Sequence, residues 1–179
     1  MKSRVARLLG ILLIASSAPG VSAEQSRPRG PEPVDAFSQR VLTEHNRERD
    51  RAGVPRLAWS SGLARAAQAW AHKLAGEGWL RHASQTENGG AGENLWMGSA
   101  GYYAPETMIA AFVEERSLYR PGTFPNVSRT GNWQDVGHYT QIVWRDTREV
   151  GCAVASDGRD DFLVCRYWPS GNWMGQAPF

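Results

Sequence analysis

Gly137-His138-Tyr139-Thr140-Gln141-Ile142-Val143-Trp144 joins a polar head carrying an imidazole to an apolar, β-prone tail without a break. Laid out as an extended chain, it puts Ile142 and Trp144 on one side and Val143 on the other, so both faces are covered, as in a buried strand. His138 and Gln141 then stand at the mouth where the run begins, and such an edge is where sites form. For a Gly-His pair taken alone, a core histidine satisfying a neighbouring carbonyl is the plainer reading; the flanking sequence bears on which of the two holds.

Downstream, Val150-Gly151-Cys152-Ala153-Val154 and Phe162-Leu163-Val164-Cys165 flank an Asp157-Gly158 turn signal. A turn at 157–160 sets Cys152 opposite Cys165 and Val154 opposite Leu163, so the chain's two cysteines read as a staple across a hairpin. Closing so short a loop contributes about 3 kcal/mol on the chain-entropy model. A catalytic thiol is the rival, and it loses because no lone cysteine remains once the pair closes. The segment from Tyr167 to Phe179, rich in Trp, Pro and Gly, reads as an ordered wrap ending at the domain surface.

Upstream, three helices are expected. Asp35 caps the first, with Val34, Phe37, Val41 and Leu42 at helical spacing and Gly53 and Pro55 ending it. His45 continues its apolar face and reads as a core histidine. Ser60 or Ser61 caps the second, where Leu63, Ala66, Ala67, Trp70, Ala71 and Leu74 form one stripe that stops at Gly76 and Gly78. His72 falls on its solvated side. The third runs from Pro105 to about Tyr119, with Met108, Ala111, Phe112, Leu118 and Tyr119 on one arc, Glu115 in the middle of it and Glu114 turned away. A buried carboxylate there needs a cation, a metal or hydrogen-bond donors.

The N-terminus is an address. Lys2, Arg4 and Arg7 precede an apolar run from Leu8 to Ala15, and Val21-Ser22-Ala23 offers small residues for cleavage, so 1–23 reads as a signal peptide and 24–33 as a flexible leader. The domain then spans 34–179. Cleavage removes three cations and no anion, leaving 17 Lys and Arg against 18 Asp and Glu, so the formal +2 of the whole chain becomes about −1. With its arginines scattered, the mature protein offers no stripe for nucleic acid or anionic membrane. It has no run long enough to span a bilayer, and a secreted monomer is expected, extracellular or, in a Gram-negative host, periplasmic.

Four polar groups are left for burial to satisfy. Gly89 to Gly92 leads into Glu93-Asn94-Leu95-Trp96-Met97, which lacks the Lys-Ser or Lys-Thr of a phosphate loop; extended, it turns Glu93 inward beside Leu95 and Met97. His82 follows the second helix where Trp79-Leu80-Arg81-His82-Ala83 returns the chain to the core. His82, Glu93, Glu115 and His138 together can form a cleft in which two neutral imidazoles hold zinc and leave positions open.

These segments resemble the CAP superfamily, which comprises cysteine-rich secretory proteins, antigen-five allergens and plant pathogenesis-related class-one proteins. Gly137 to Trp144, continued by Arg145-Asp146-Thr147, resembles its first signature, and Phe162 to Trp173 its second; His45-Asn46 with Arg49, Gly92-Glu93-Asn94-Leu95, and Glu115 with Tyr119 add to the likeness. The resemblance implies an α+β fold, an α-β-α sandwich with a small antiparallel sheet between helical layers. It also implies a cleft tetrad of His82, Glu93, Glu115 and His138, with a divalent cation such as zinc on the two histidines. Phe112 stands where many members have Trp, one cysteine pair replaces the usual three or more, and the plain single-domain form looks bacterial. Members bind sterols or lipids, act in defence or venoms, and occasionally hydrolyse. A binding module for a lipid, sterol or other extracellular ligand is therefore expected ahead of the alternative, a protease or glycan hydrolase using Glu93 and Glu115 as acid and base. The chain has neither a His-Glu-x-x-His helix motif nor a Gly-x-Ser-x-Gly elbow.

Overall fold

The computed structural model describes residues 35–179. The expected signal peptide and leader, and the helix contact expected of Val34, lie outside the described residues.

Helix α1, Ala36–Ala52, begins where the Asp35 carboxylate accepts from the Ser38 amide at 2.9 Å and ends at Gly53, whose φ of 70° lies in the left-handed region. Val41 is buried and Phe37 and Leu42 pack on the core, but the inner stripe then turns polar through His45, Glu48 and Arg49. His45 donates from Nδ1 to the Val41 carbonyl at 2.8 Å, and its Nε2 accepts from the Tyr167 hydroxyl at 2.8 Å. Both ring nitrogens are thus engaged. Glu48 meets Arg116 Nη1 through both carboxylate oxygens, at 3.0 and 2.9 Å.

Strand β1, Ala58–Trp59, leads into helix α2, Ser61–Glu77, whose buried residues are Ala67, Trp70, Ala71 and Leu74. A short helix α3, Gln85–Asn88, follows a capping box of Ser84 and Glu87. Strand β2 spans Gly92–Ser99, and β3, Glu149–Ser156, and β4, Asp160–Trp168, form the hairpin. Its register pairs Cys152 with Cys165, which are disulfide-bonded, and Val154 with Leu163, as the turn position required. The Asp157 carboxylate accepts from the amides of Arg159 and Asp160 at 2.8 and 2.7 Å, and Gly158 supplies the left-handed residue at φ 88°.

The sheet runs β1-β3-β4-β2 and is mixed: β2, β3 and β4 are antiparallel, while β1 lies parallel to β3. The three long strands form the expected antiparallel sheet, and the parallel β1 is added at its edge; a two-residue strand carries too little alternation to be seen in sequence. One face packs on α2 through Leu95, Ala153, Ala155, Phe162 and Val164. The approach is closest at Gly151, where a Cβ would stand 2.2 Å from the Ala64 nitrogen, so no side chain fits there. The opposite face, with Val150, Leu163, Cys165 and Tyr167, carries α1, α4 and α5, which makes the α-β-α sandwich.

Helix α4, Pro105–Glu114, is shorter than expected: a 3₁₀ turn, Glu115–Leu118, takes over and Tyr119 is extended. Within α4, Ile109 is buried with Met108 and Phe112 and Ala111 is only half-buried; the tighter winding that follows leaves Leu118 exposed.

The largest correction concerns the decisive stretch itself. A 3₁₀ turn, Trp133–Val136, capped by the Asn132 side chain, runs into helix α5, Gly137–Ile142. Tyr139 to Trp144 are all buried, so apolar spacing along them does not distinguish strand from helix, and tertiary contacts override β-propensity. Gln141 is interior rather than at the mouth; it accepts from the Gly171 amide at 2.9 Å and donates to Thr147 Oγ1 at 3.3 Å. At the end of α5, the fully buried Arg49 donates to the carbonyls of Ile142, Trp144 and Thr147 at 2.7, 2.8 and 3.0 Å, and to that of Pro55 at 2.5 Å. Beyond Trp168 the chain forms the expected wrap, with Arg145 N bonded to the Pro178 carbonyl at 2.7 Å and Phe179 stacked on Tyr119 at 5.3 Å.

Two stability outcomes follow from these buried groups. Burial lowers the pKa of Arg49 to about 10, so the guanidinium stays charged at neutral pH. Replacing it with Met leaves interior carbonyls unpaired and should cost on the order of 3 kcal/mol or more in chemical unfolding. Burial also lowers His45 to about 4, against roughly 6.5 in the unfolded chain. The unfolded state then binds the proton first, so the neutral ring's contribution is complete above pH 6.5 and lost as pH falls toward 4. Wild type should lose roughly 3 kcal/mol more across that window than His45→Gln does.

Candidate functional site

A cleft of about 420 Å³ lies where β2 begins, and both His82 and His138 line it, together with Glu93, Asn94 and Trp133. His82 sits on the loop between α2 and α3; its Nδ1 is 2.9 Å from Glu93 Oε1, which also accepts from the Ala83 amide at 3.0 Å. His138 is the second residue of α5. Its Nδ1 is 2.5 Å from Glu115 Oε1, while Glu115 Oε2 accepts from the amides of His138 and Tyr139 at 2.9 and 3.1 Å. The carboxylate thereby satisfies two otherwise unpaired amides in the first turn of α5. Phe112, at the position where many CAP members carry Trp, stacks on the His138 ring at 4.8 Å.

The two pairs share one chemistry. A carboxylate facing Nδ1 requires that nitrogen to carry the proton, which leaves Nε2 with its lone pair. Among the described residues no hydrogen-bond partner meets either Nε2. Two imidazoles so oriented line one cleft. The remaining histidines do not belong here: His72 is exposed and pairs with Gln68 at 3.0 Å, and His45 is in the core. His45 approaches the sulfurs of Cys152 and Cys165 closely enough to suggest a metal triad, but the sulfurs are bonded to each other and both imidazole nitrogens are used.

His82, Glu93 and His138 therefore line one cleft, and Glu115 stands behind His138; Glu115 rather than Glu114 turns inward, although from a 3₁₀ turn. Glu93 is inward with Leu95, whereas Met97 is exposed. Asn94 and Gly92, noted only within a resembling motif, prove to have physical roles. Asn94 Nδ2 donates to the His138 carbonyl at 3.0 Å and to the Tyr167 hydroxyl at 3.1 Å, joining the cleft to the buried Tyr167-His45 pair. At Gly92 a Cβ would stand 2.1 Å from Gln141 Oε1, so its absence lets α5 close on the strand. The signal for Asn94 was its place beside Glu93 on a strand, which sends neighbouring side chains to opposite faces.

Residues 42–167 match the family model described as CAP: Cysteine-rich secretory protein family. Pathogenesis-related protein PRMS of Zea mays is 34% identical over 175 residues, covering 96% of this chain and 94% of the relative. Pathogenesis-related protein PR-1 of Medicago truncatula is 34% identical over 146 residues, 80% of each chain. Among solved structures, the crystal structure of NaASP2 with Zn2+ matches with a TM-score of 0.66 at 24% identity, covering 83% of this chain and 88% of that one. MpPR-1i matches with a TM-score of 0.56 at 23% identity, covering 79% and 93%.

Glu115 and Glu114 separate the two roles a carboxylate can play at this position. Glu115→Gln turns an acceptor of three bonds into a group that must present an amide to one of them, and should lower stability by about 1–3 kcal/mol while broadening the His138 resonances. Glu114→Gln should be silent in both measurements; equal effects would mean that the inward position is misassigned.

Proposed function

The chain belongs to the cysteine-rich secretory protein (CAP) family, and from that premise we propose that it is a secreted binding module resembling pathogenesis-related class-one proteins. In this reading its cleft takes up a divalent cation through His82 and His138 and offers it to an extracellular ligand. The observation that carries the reading is the matched orientation of the two imidazoles, each with Nδ1 turned to a carboxylate and, among the described residues, Nε2 left without a hydrogen-bond partner beside one cleft. A cation held there supplies open coordination positions for oxygen ligands. Zinc is the first candidate, since two neutral imidazoles suit it and a solved structure of the same fold is of NaASP2 with Zn2+.

The cleft wall favours a polar ligand. Asn88, Gln134 and Asn172 line it with His82, Glu93 and His138, and Trp133 is the one large apolar side chain in that lining. A lipid or sterol would need an apolar enclosure, so a ligand of that kind belongs on another surface. The hydrolase reading is weaker for a geometric reason. Glu115 spends both oxygens on two backbone amides and His138, while Glu93 gives Oε1 to the Ala83 amide and His82 and turns Oε2 to the buried Arg166 guanidinium, which orients imidazoles instead of presenting an acid and a base to a substrate. No helix among the described residues is long and apolar enough to cross a membrane. Export after Ala23 and a monomeric state without nucleic-acid partners complete the proposal.

Calorimetric titration of metal-stripped protein with zinc tests it. One site per chain is expected, with either His82→Ala or His138→Ala nearly abolishing binding and His72→Ala leaving it unchanged. Acidification should weaken binding, because a ligating ring nitrogen must be free of its proton. Parent-like zinc affinity in the double alanine variant removes the cation from this cleft. Zinc-dependent hydrolysis of casein or peptidoglycan that disappears in the same variant would instead favour the enzyme.

A further inference from the structure

Glu93 and Arg166 are direct cross-strand partners on β2 and β4, so their side chains leave the same face of the sheet. Both are nearly sealed from solvent, at 3% and 4% exposure. The two Glu93 oxygens meet different surroundings. Oε1 serves the Ala83 amide and His82 Nδ1. Oε2 faces the guanidinium, with Arg166 Nη2 at 3.5 Å, close enough for the charges to pair but without a formed hydrogen bond. Arg166 Nη1 reaches 3.5 Å from the Glu87 carbonyl and tethers the other side of the fork to α3.

The opposite half of the cleft is built differently. Glu115 is fixed by two backbone amides and an imidazole, and no Arg or Lys pairs with it among the described residues. Phe112 stacks on His138, whose ring is 34% exposed, whereas the His82 ring is 63% exposed with no stacked ring among the described residues. His82 therefore depends on its carboxylate alone. The two donors that Glu93 serves at Oε1 leave its second oxygen unanchored, and the buried guanidinium is the charge that faces it.

We propose that Arg166 is a positioning residue of the cation site: it holds Glu93 Oε2 inside the sheet face so that Oε1 meets His82 Nδ1, which selects the Nδ1-protonated tautomer and leaves Nε2 to the cation. The affinity consequence rests on the cleft binding a cation; the effect on His82 does not. A conserved charge without the planar fork is insufficient, because an ammonium cannot reach Glu93 and Glu87 with the same spread.

Long-range proton–nitrogen spectra of the metal-free protein, together with zinc calorimetry, test this on the parent, Arg166→Gln and Arg166→Lys. In Arg166→Gln the His82 ring nitrogens should leave the Nδ1-protonated pattern while those of His138 stay in place, and zinc affinity should fall by about 10- to 100-fold, as when a ligand's hydrogen-bond partner is lost. Arg166→Lys should show the same change at His82 with a smaller loss, and it decides the matter alone if the Gln variant does not fold. An unchanged His82 tautomer overturns the proposal, as does an equal shift at both histidines, which would mark a general loosening. A parent that shows the His82 change on substitution yet takes up no zinc leaves Arg166 in its positioning role and removes the cation reading.

Discussion

Helix α5 is held at both ends by ions whose signs suit its dipole, and the rest of the site depends on that clamp. At its start the Glu115 carboxylate gathers the amides of His138 and Tyr139; at its finish the Arg49 guanidinium takes the carbonyl of Ile142 with those of Trp144 and Thr147. A helix of six residues makes too few internal bonds to stand alone. Its unpaired amides and carbonyls are the groups that the two ions satisfy. Since Arg49 comes from α1 and Glu115 from the turn after α4, the same bonds lock the two helices to the segment that carries His138.

This explains which parts of the fold were legible in the sequence. The hairpin was readable to the residue because everything that sets its register is local: an Asp-Gly turn, alternation on both arms and a cysteine on each arm. The caps of α1 were readable for the same reason. Helix α5 was misread because its causes are distant. Arg49 and Glu115 lie 93 and 23 positions from the groups they satisfy, and a segment buried on all sides shows no periodicity. The same limit hid the polar interior of α1: Glu48 and Arg49 look solvated by composition, and only their partners Arg116 and the α5 carbonyls explain their burial.

For the cleft, residue type and inward phase were legible, and convergence was not. Glu115 could be separated from Glu114 by helical phase even though the true backbone there is 3₁₀, since the angular error accumulated over a single residue is small. The partners that orient the tetrad, Arg166 and Asn94, gave no such sign. An arginine on a strand reads as a solvent-facing group, and its burial becomes sensible only when the register places Glu93 opposite it.

The adjacency of Glu93 and Asn94 has a consequence for how this sequence can vary. One sends a carboxylate to the His82 side of the sheet and the other an amide to the His138 side. Shifting the strand by one position exchanges their faces. The carboxylate would then meet the His138 carbonyl and the Tyr167 hydroxyl in place of donors, while His82 and the Ala83 amide would find a neutral group. Such a frame shift turns attraction into repulsion on one face and weakens the other simultaneously. Length changes within Gly92–Ser99 are thus barred even where every individual side chain is retained, and drift is left to the loop between α3 and β2.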